Sequence, residues 1–411
     1  MAHNTSGNSG SNTKELRERE HHPAYWRGVF AMSLCVFALI ASEFMPVSLL
    51  TPMAAELRVS EGAVGQGIAI SGVFAVLTSL SISTLAGSMN RKTLLLGLTA
   101  VMALSGALVA LAPNYLLYMI GRALIGLVVG GFWSMSAATA MRLVPANQVP
   151  RALAIFNVGN ALATMLAAPL GSYLGSIVGW RGAFFALVPV TVVALAWQWI
   201  SLPSMEVLER PAAARNIFSL FSALKSPAVA WGMSACAVFF MGQFILFTYI
   251  RPFLETVTRV DVSTLSVVLL VIGAAGFAGT VLIGRVLNHG LYKTLIVIPA
   301  LMALIALGLI PVGGWIVPVA VLLGLWGLLS TSAPVGWWSW VAKAMPHNAE
   351  AGGGLMVAVI QLAIALGSTV GGLLFDSTGH QGTFLASAAV LILASLLAFV
   401  AARATRRPAA H

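Results

Sequence analysis

Glu43 is the acidic residue that lies well inside a long apolar run of this sequence, and it is the residue best suited to chemistry. The run extends from about residue 27 to 53, which is long enough to cross a bilayer. An ionised carboxylate at the centre of an apolar helix costs at least about 2.5 kcal/mol, so such residues are functional by default. We therefore expect Glu43 to exchange a proton. The alternative is a protonated or arginine-paired carboxyl group with a structural role.

Arg122 is a basic residue inside another apolar run. At 1.5 Å per residue, Arg122 and Glu43 lie roughly 10 Å and 13 Å from the same end of their spans. Because pairing lowers the cost of burying two opposite charges, we predict that they approach one another, directly or through water. In the functional interpretation Arg122 favours the ionised form of Glu43, and protons or substrate change the pairing. In the alternative the pair is a fixed strut.

Amide and aromatic side chains inside the apolar runs are candidates for binding a solute. Amides donate and accept hydrogen bonds, which suits an uncharged, hydroxylated solute, although they also join helices to one another. Aromatic rings stack on planar bases, with about 1–3 kcal/mol per base in nucleic-acid complexes, although tryptophan also fills cores and interfacial belts. The predicted cavity residues are Trp133, Asn157, Asn160, Gln243, Phe247, Tyr249, Trp337 and Gln361.

The composition is that of a polytopic membrane protein. Of the 411 residues, 59% are hydrophobic and 8% are charged, whereas soluble domains carry about 25% charged residues. The net charge of +10 does not indicate a nucleic-acid partner, because the basic residues lie mainly in short segments between apolar runs. Neither an enzyme nor a metal site is predicted, since the histidines lie outside the span interiors and Cys35 and Cys236 lack metal-ligand spacing.

Twelve apolar runs are long enough to span a membrane, which predicts an all-α membrane protein with twelve transmembrane helices. The longest connection separates two sets of six. The predicted organisation is a disordered tail (1–22), a six-helix bundle (23–202), a linker (203–227), a second six-helix bundle (228–403) and a short tail (404–411). The runs are approximately 27–53, 62–88, 93–112, 115–141, 152–178, 183–202, 228–250, 262–287, 294–312, 315–341, 353–375 and 383–402.

The basic residues predict the orientation. With the N-terminus inside, most of the 22 Lys and Arg residues fall on the inner side, and the outer side receives only Arg58, Arg181, Arg251 and Arg259. This bias predicts that both termini and the linker are cytoplasmic.

The two halves of the chain repeat one another. A shift of 200 residues places the Gly171, Gly179, Gly182 and Phe184 positions on Gly371, Gly379, Gly382 and Phe384. A repeat of six spans is the architecture of transporters whose halves rock around a central site.

Several segments resemble the major facilitator superfamily, in particular its drug:proton antiporters and, more narrowly, purine ribonucleoside efflux pumps. The segments closest to the nucleoside pumps are Gly130–Ser136, Gly242–Phe244 and Pro334–Trp337, whereas Glu43–Pro46 and Gly179–Arg181 also resemble sugar efflux relatives. Arg122 corresponds to the buried arginine that the family couples to proton movement. One departure is Gly87–Lys92, which lacks the acid of the family's usual loop motif.

The resemblance implies a major facilitator fold and a proton-coupled antiporter that exports purine ribonucleosides such as inosine and guanosine. It implies a monomer in the lipid bilayer of a bacterial inner membrane, with protons as the coupling ion and no other cofactor. Efflux of sugars or mixed drugs on the same scaffold is the nearest alternative, and a passive channel or sensor is a further one.

Overall fold

The computed structural model describes residues 24–85, 89–205, 224, 226–345 and 349–406, and in this part of the chain the regular structure is helical. Most of the predicted linker and the predicted tail 1–22 lie outside these ranges. The helices are α1 (Trp26–Leu57), α2 (Glu61–Leu85), α3 (Arg91–Ala110), α4 (Tyr115–Arg142), α5 (Val149–Ser201), α6 (Pro227–Phe247), α7 (Ile250–Phe253), α8 (Val262–His289), α9 (Leu291–Val312), α10 (Ile316–Ala344) and α11 (Ala349–Arg406). A 3₁₀ turn covers Ala146–Gln148 and a π-helix covers Leu254–Thr258.

Ten helical segments in the described ranges are long and apolar enough to cross a membrane. Two helices, α5 with 53 residues and α11 with 58, would each exceed about 75 Å if straight, far more than a bilayer is thick. Each is broken near its middle by a glycine in the left-handed region, Gly179 (φ 73°) and Gly379 (φ 68°). The break lets each helix form two antiparallel spans, which is consistent with the predicted twelve.

Contacts at the two ends of α5 demonstrate this reversal. Near its start, the Ile155 carbonyl accepts a hydrogen bond from Ser33 Oγ at 2.8 Å. Just beyond its end, the Leu202 side chain packs beside Gly28. Ser33 and Gly28 both lie in the first turns of α1, so the two ends of α5 are on the same side of the molecule.

Two helices extend beyond the predicted boundaries. The seventh span does not end at residue 250, because α7 and the π-helix continue it to Thr258. The last helix continues to Arg406 instead of ending at 403, and Thr405 in this extension forms a 2.8 Å hydroxyl–hydroxyl hydrogen bond with Tyr292 of α9.

Below, the side of the molecule where α1 begins is the Trp26 side, and the side where α1 ends is the Leu57 side. We call α1–α5 the first bundle and α6–α11 the second bundle. The apolar cores follow this division, since two clusters of buried side chains come almost entirely from the first bundle and one comes almost entirely from the second.

Large apolar side chains are exposed around the outside of both bundles. Ile200, Val317 and Val281 have 79%, 70% and 66% of their surface accessible. Exposed apolar surface of this extent marks an interface with protein or lipid. On helices of membrane-spanning length, that surface is the lipid-facing belt.

Small residues at four-residue spacing bring helices into backbone contact. A Cβ atom at Gly126 or Gly130 would overlap the carbonyl oxygens of Ser71 and Ala75 on α2. Gly367 on α11 is similarly close to the carbonyl of Met241 on α6. These glycines therefore pack helix against helix.

Candidate functional site

Hydrogen bonds join the two bundles on the Leu57 side. The carboxylate of Asp376, near the end of the first span of α11, accepts from Ser60 Oγ at 2.5 Å and from the backbone N–H of Gly62 at 3.1 Å. Deeper in the molecule, Thr369 Oγ1 donates to Gln66 Oε1 at 3.1 Å. These contacts close the Leu57 side.

One face of α5 contacts the second bundle near the Leu57 side. Among the described residues, the same face is not in contact with that bundle closer to the Trp26 side. Ser172, near the Leu57 side, accepts a 3.0 Å hydrogen bond from Ser266 of α8, and the backbone of Met165 contacts Gly273. Asn157 and Thr164, on this face and closer to the Trp26 side, are exposed. The bundles therefore diverge toward the Trp26 side.

Glu43 lies near the middle of α1 and makes a contact between the bundles. At 1.5 Å per residue it is about 21 Å from Leu57 and about 25 Å from Trp26. Its side chain is 3% exposed, and its Oε1 accepts a hydrogen bond from Nε2 of Gln361 on α11 at 3.2 Å. A buried acid is thus held by a side chain of the opposite bundle, and any motion that separates α1 from α11 must break this bond.

Arg122 approaches Glu43, but it binds main-chain oxygens. The guanidinium donates to the carbonyls of Gly67 (3.0 Å), Ser42 (2.8 Å) and Glu43 (3.0 Å). The Ser42 carbonyl is available because Pro46, four residues later, has no N–H to bond it. Arg122 therefore fastens α4 to α1 and α2 beside Glu43. The carboxylate of Glu43 is bound by Gln361, which differs from the side-chain pairing that the shared depth suggested.

A second proline in α1 creates a second free carbonyl. Pro52 has no N–H for the carbonyl of Ser48, and Arg251 of the second bundle donates to this oxygen. Arg251 is 5% exposed, and its Nε also donates to Glu255 at 2.8 Å. The charge of Arg251 is thus balanced by Glu255 within its own bundle, while its Nη1 donates to the other bundle.

Two of the predicted amides have unused acceptors. Gln243 and Gln361 are 9% and 7% exposed, and the Oε1 atom of each has no hydrogen-bond partner among the described residues. An unsatisfied buried polar atom costs roughly 1–3 kcal/mol, so such atoms are normally occupied by water, an ion or a ligand. These oxygens are suited to accepting hydrogen bonds from a solute.

Four of the other predicted site residues are at least partly accessible. Trp133 is half-buried with its ring edge-on to Phe156 at 6.2 Å, Asn160 is half-buried and Asn157 is exposed, so this group lies where the bundles diverge. Phe247 is half-buried against Phe244 at 5.7 Å. Asn157 Nδ2 also donates to its own helix at Leu153 O (2.8 Å).

Trp337 and Tyr249 lie away from this opening. Trp337 is 2% exposed and packs on Phe239 and Trp340 in the core of the second bundle. Tyr249 is fully buried on the closed Leu57 side, where its hydroxyl donates to Ser368 O at 2.8 Å. In this conformation neither ring lines the opening, which corrects the prediction for Trp337 and Tyr249. Each ring is instead packed in an apolar environment, Trp337 within the second bundle and Tyr249 between the bundles.

Sequence reasoning missed the residues that close the Leu57 side. The predicted orientation places Arg251 on the outer side of the membrane, and the sequence indicates no role for Asp376. One signal was available, since Pro52 predicts a free carbonyl at Ser48 and a buried donor near it. No signal in the sequence pairs that oxygen with Arg251, which is 203 residues away.

The chain is similar to proteins that are described as transporters and to one that is described as a regulator. It is 66% identical over 386 residues (94% of this chain, 96% of the relative) to the transcription regulatory protein OpdE of Pseudomonas aeruginosa. It is 40% identical over 380 residues (92% of this chain, 95% of the relative) to the purine ribonucleoside efflux pump NepI of Salmonella paratyphi B.

Solved structures share the fold at low sequence identity. A crystal structure of the nucleoside transporter NupG has a TM-score of 0.75 at 12% identity and covers 92% of this chain and 99% of its own. A bacterial homologue of the lysosomal transporter Spinster has a TM-score of 0.72 at 15% identity, with 95% and 99% covered.

The sequence pattern described as Major Facilitator Superfamily matches residues 32–367, well over half of the chain. This match, together with the fold shared with the solved structures, shows that the chain belongs to the Major Facilitator Superfamily.

Proposed function

We propose that this transporter exports purine ribonucleosides, such as inosine and guanosine, in exchange for protons. The observation that carries the proposal is the buried Glu43 carboxylate, which is held across the bundle interface by Gln361. The relative NepI is described as a purine ribonucleoside efflux pump, and the extent of the match supports the same class of substrate. The positive charge that flanks the spans supports an inner membrane with the Trp26 side toward the cytoplasm.

The proposed mechanism uses one carboxylate for two kinds of partner. Moving an ionised acid through an apolar interface is costly unless its charge is neutralised or its oxygens are hydrogen-bonded. Either a proton or the N–H groups of a purine meets this requirement at Glu43. The free Oε1 atoms of Gln243 and Gln361 supply further acceptors for a base or ribose hydroxyl. The proton and the nucleoside bind Glu43 alternately, so each crosses the membrane in the direction opposite to the other. A monomer suffices for this cycle.

The name of the relative OpdE raises a regulatory role as a second possibility. A transporter influences transcription when it changes the cytoplasmic concentration of a solute that a regulator binds. The buried polar atoms at the bundle interface favour solute movement as the primary activity.

The experiment is uptake of labelled inosine and guanosine into inverted vesicles with an imposed, acid-inside proton gradient. The wild type should accumulate nucleoside, and a proton conductor should abolish the accumulation. Glu43→Gln should lose gradient-driven accumulation. Glu61→Gln is the matched control, because it removes a half-buried acid from the first turn of α2, far from the mid-span site, and should transport as the wild type does.

Competition identifies the substrate class. Unlabelled inosine should inhibit uptake, whereas arabinose and a lipophilic cation should not. Unchanged gradient-driven flux in Glu43→Gln would remove Glu43 from the mechanism, and stronger inhibition by arabinose or the cation would transfer the proposal to sugar or drug efflux.

A further inference from the structure

A groove on the lipid-facing surface of the second bundle lies between α8, α9 and α10, away from the opening between the bundles. Its volume is about 340 Å³. The walls are apolar and exposed, formed by Leu282 and Val286 of α8 and by Val297 and Leu301 of α9, each 41–51% exposed. The groove runs for about seven residues along each helix, or roughly 10 Å, which is the length of a headgroup and the upper part of an acyl chain.

The groove ends in positive charge on the Trp26 side. His289, the last residue of α8, and Lys293, in the first turn of α9, line this end, and both are exposed. His289 Nδ1 is 2.8 Å from the Arg285 carbonyl, which leaves its Nε2 available to another partner. Apolar walls that lead to a lysine and a histidine N–H at the end of a span complement an anionic lipid, whose chain and headgroup divide in the same way.

The repeat shows what covers the corresponding place in the first bundle. A shift of 200 residues places Asn90, which precedes α3, on Gly290, which precedes α9. Asn90 Oδ1 accepts from the N–H groups of Lys92 (2.9 Å) and Met205 (3.2 Å), and Arg91 N–H donates to Met205 O at 3.1 Å. In the first bundle the chain itself therefore covers the start of the third helix.

Among the residues that the structure describes, the second bundle has no equivalent cover. Gly290 has no side chain to cap α9, and α9 has no side-chain cap. Residue 405, which corresponds to Met205, is still helical and hydrogen-bonds Tyr292. The residues that follow Arg406 include Arg407 and His411, whose charge does not complement a basic groove.

We propose that this groove binds an anionic phospholipid, with its phosphate at Lys293 and His289 and an acyl chain along Leu282, Val286, Val297 and Leu301. A zwitterionic lipid fits the apolar walls equally well, but its own ammonium group offsets its phosphate. The site therefore selects by headgroup charge. This inference does not depend on the transported solute or on proton coupling.

Native mass spectrometry of the full-length protein in detergent tests the proposal, with equal amounts of phosphatidylglycerol and phosphatidylcholine added. The wild type should retain one phosphatidylglycerol at least fivefold more often than phosphatidylcholine. The double variant His289→Gln/Lys293→Gln should lose most of this preference. The control Lys343→Gln, which removes an exposed charge from the last turn of α10 outside the groove, should keep it.

A second variant tests the acyl-chain part. Val286→Trp keeps Lys293 and His289 and fills the groove, so it should reduce retention of the lipid. Circular dichroism should give the same helical content for each variant. Equal retention of the two lipids by the wild type, or an unchanged preference in the double variant, would overturn the proposal. Displacement of the lipid by glycerophosphate would also overturn it, because the site would then bind a soluble phosphate.

Discussion

Arg251 of the second bundle donates a hydrogen bond to the carbonyl oxygen of Ser48 in the first bundle, and this oxygen is free because Pro52 has no N–H to bond it. A helix carbonyl without its i+4 donor must find another partner when buried. Here the partner belongs to the other bundle, so the contact joins the two bundles on the Leu57 side in this structure. The proline in α1 thus creates an acceptor for a contact that closes this side.

Arg251→Gln should shift the transporter toward opening on the Leu57 side. The substitution removes a hydrogen bond to a charged group, worth about 1.5–3 kcal/mol, and 1.4 kcal/mol corresponds to a tenfold change in an equilibrium. Spin labels attached at Ala55→Cys and Ser377→Cys, both exposed on the Leu57 side, should report a larger population of long distances. Cys35 and Cys236 are buried, so they do not compete for the label.

The control for this measurement is Arg58→Gln. Arg58 is an exposed arginine at the end of α1 on the same side, and its loss should leave the distances unchanged. If the two variants give the same distance distribution as the wild type, the Arg251–Ser48 contact does not stabilise closure.

Pro52→Ala should reduce the effect of Arg251→Gln. Alanine restores the N–H that α1 lacks at this position, so the Ser48 carbonyl gains a helical partner and no longer depends on the second bundle. The distance measurement on the two single variants and the double variant forms a double-mutant cycle. We expect the double variant to populate the long distances less than the sum of the two single effects would give. Strict additivity would mean that Arg251 acts through Glu255 or through its charge alone.

The sequence predicts the scaffold because the membrane imposes strong patterns. Span length, the distribution of basic residues and the 200-residue repeat each follow from the low polarity of lipid. The depths of Glu43 and Arg122 were also predictable by counting along their spans. The partners were not predictable, because Gln361 reaches Glu43 from 318 residues away and the choice between a carboxylate and a carbonyl depends on side-chain conformation. The burial of Trp337 was not predictable either, because an indole ring is stable both in an apolar core and in the wall of a cavity.

Gly65→Ala should impair transport while the protein remains folded. Gly65 on α2 faces Tyr249 of the second bundle, and a Cβ atom there would overlap the Tyr249 hydroxyl oxygen. The two residues belong to opposite bundles, so the added methyl group obstructs closure of the Leu57 side. Labels at Ala55→Cys and Ser377→Cys should show the open side in this variant, with a normal thermal unfolding temperature.

Tyr249→Phe provides the rescue for this variant. Removing the hydroxyl eliminates the closest overlap, although it also loses the 2.8 Å hydrogen bond to Ser368 O. The double variant Gly65→Ala/Tyr249→Phe should therefore recover part of the transport rate that Gly65→Ala loses. A double variant no better than Gly65→Ala would show that the obstruction lies elsewhere.

Arg122→Lys should destabilise the first bundle even though it keeps the positive charge. The guanidinium holds three carbonyl oxygens on α1 and α2 in fixed directions, and a single ammonium group cannot reproduce that planar arrangement. Loss of even one of these bonds should cost about 1.5–3 kcal/mol, visible as a lower unfolding temperature in detergent. Arg58→Lys, at an exposed position, should unfold as the wild type does.

If Arg122→Lys is as stable as the wild type but transports with an altered pH dependence, the residue acts on Glu43 through its charge and not through the position of α1. A lower stability together with reduced exchange of labelled for unlabelled nucleoside would instead assign Arg122 to holding Glu43 in register with Gln361.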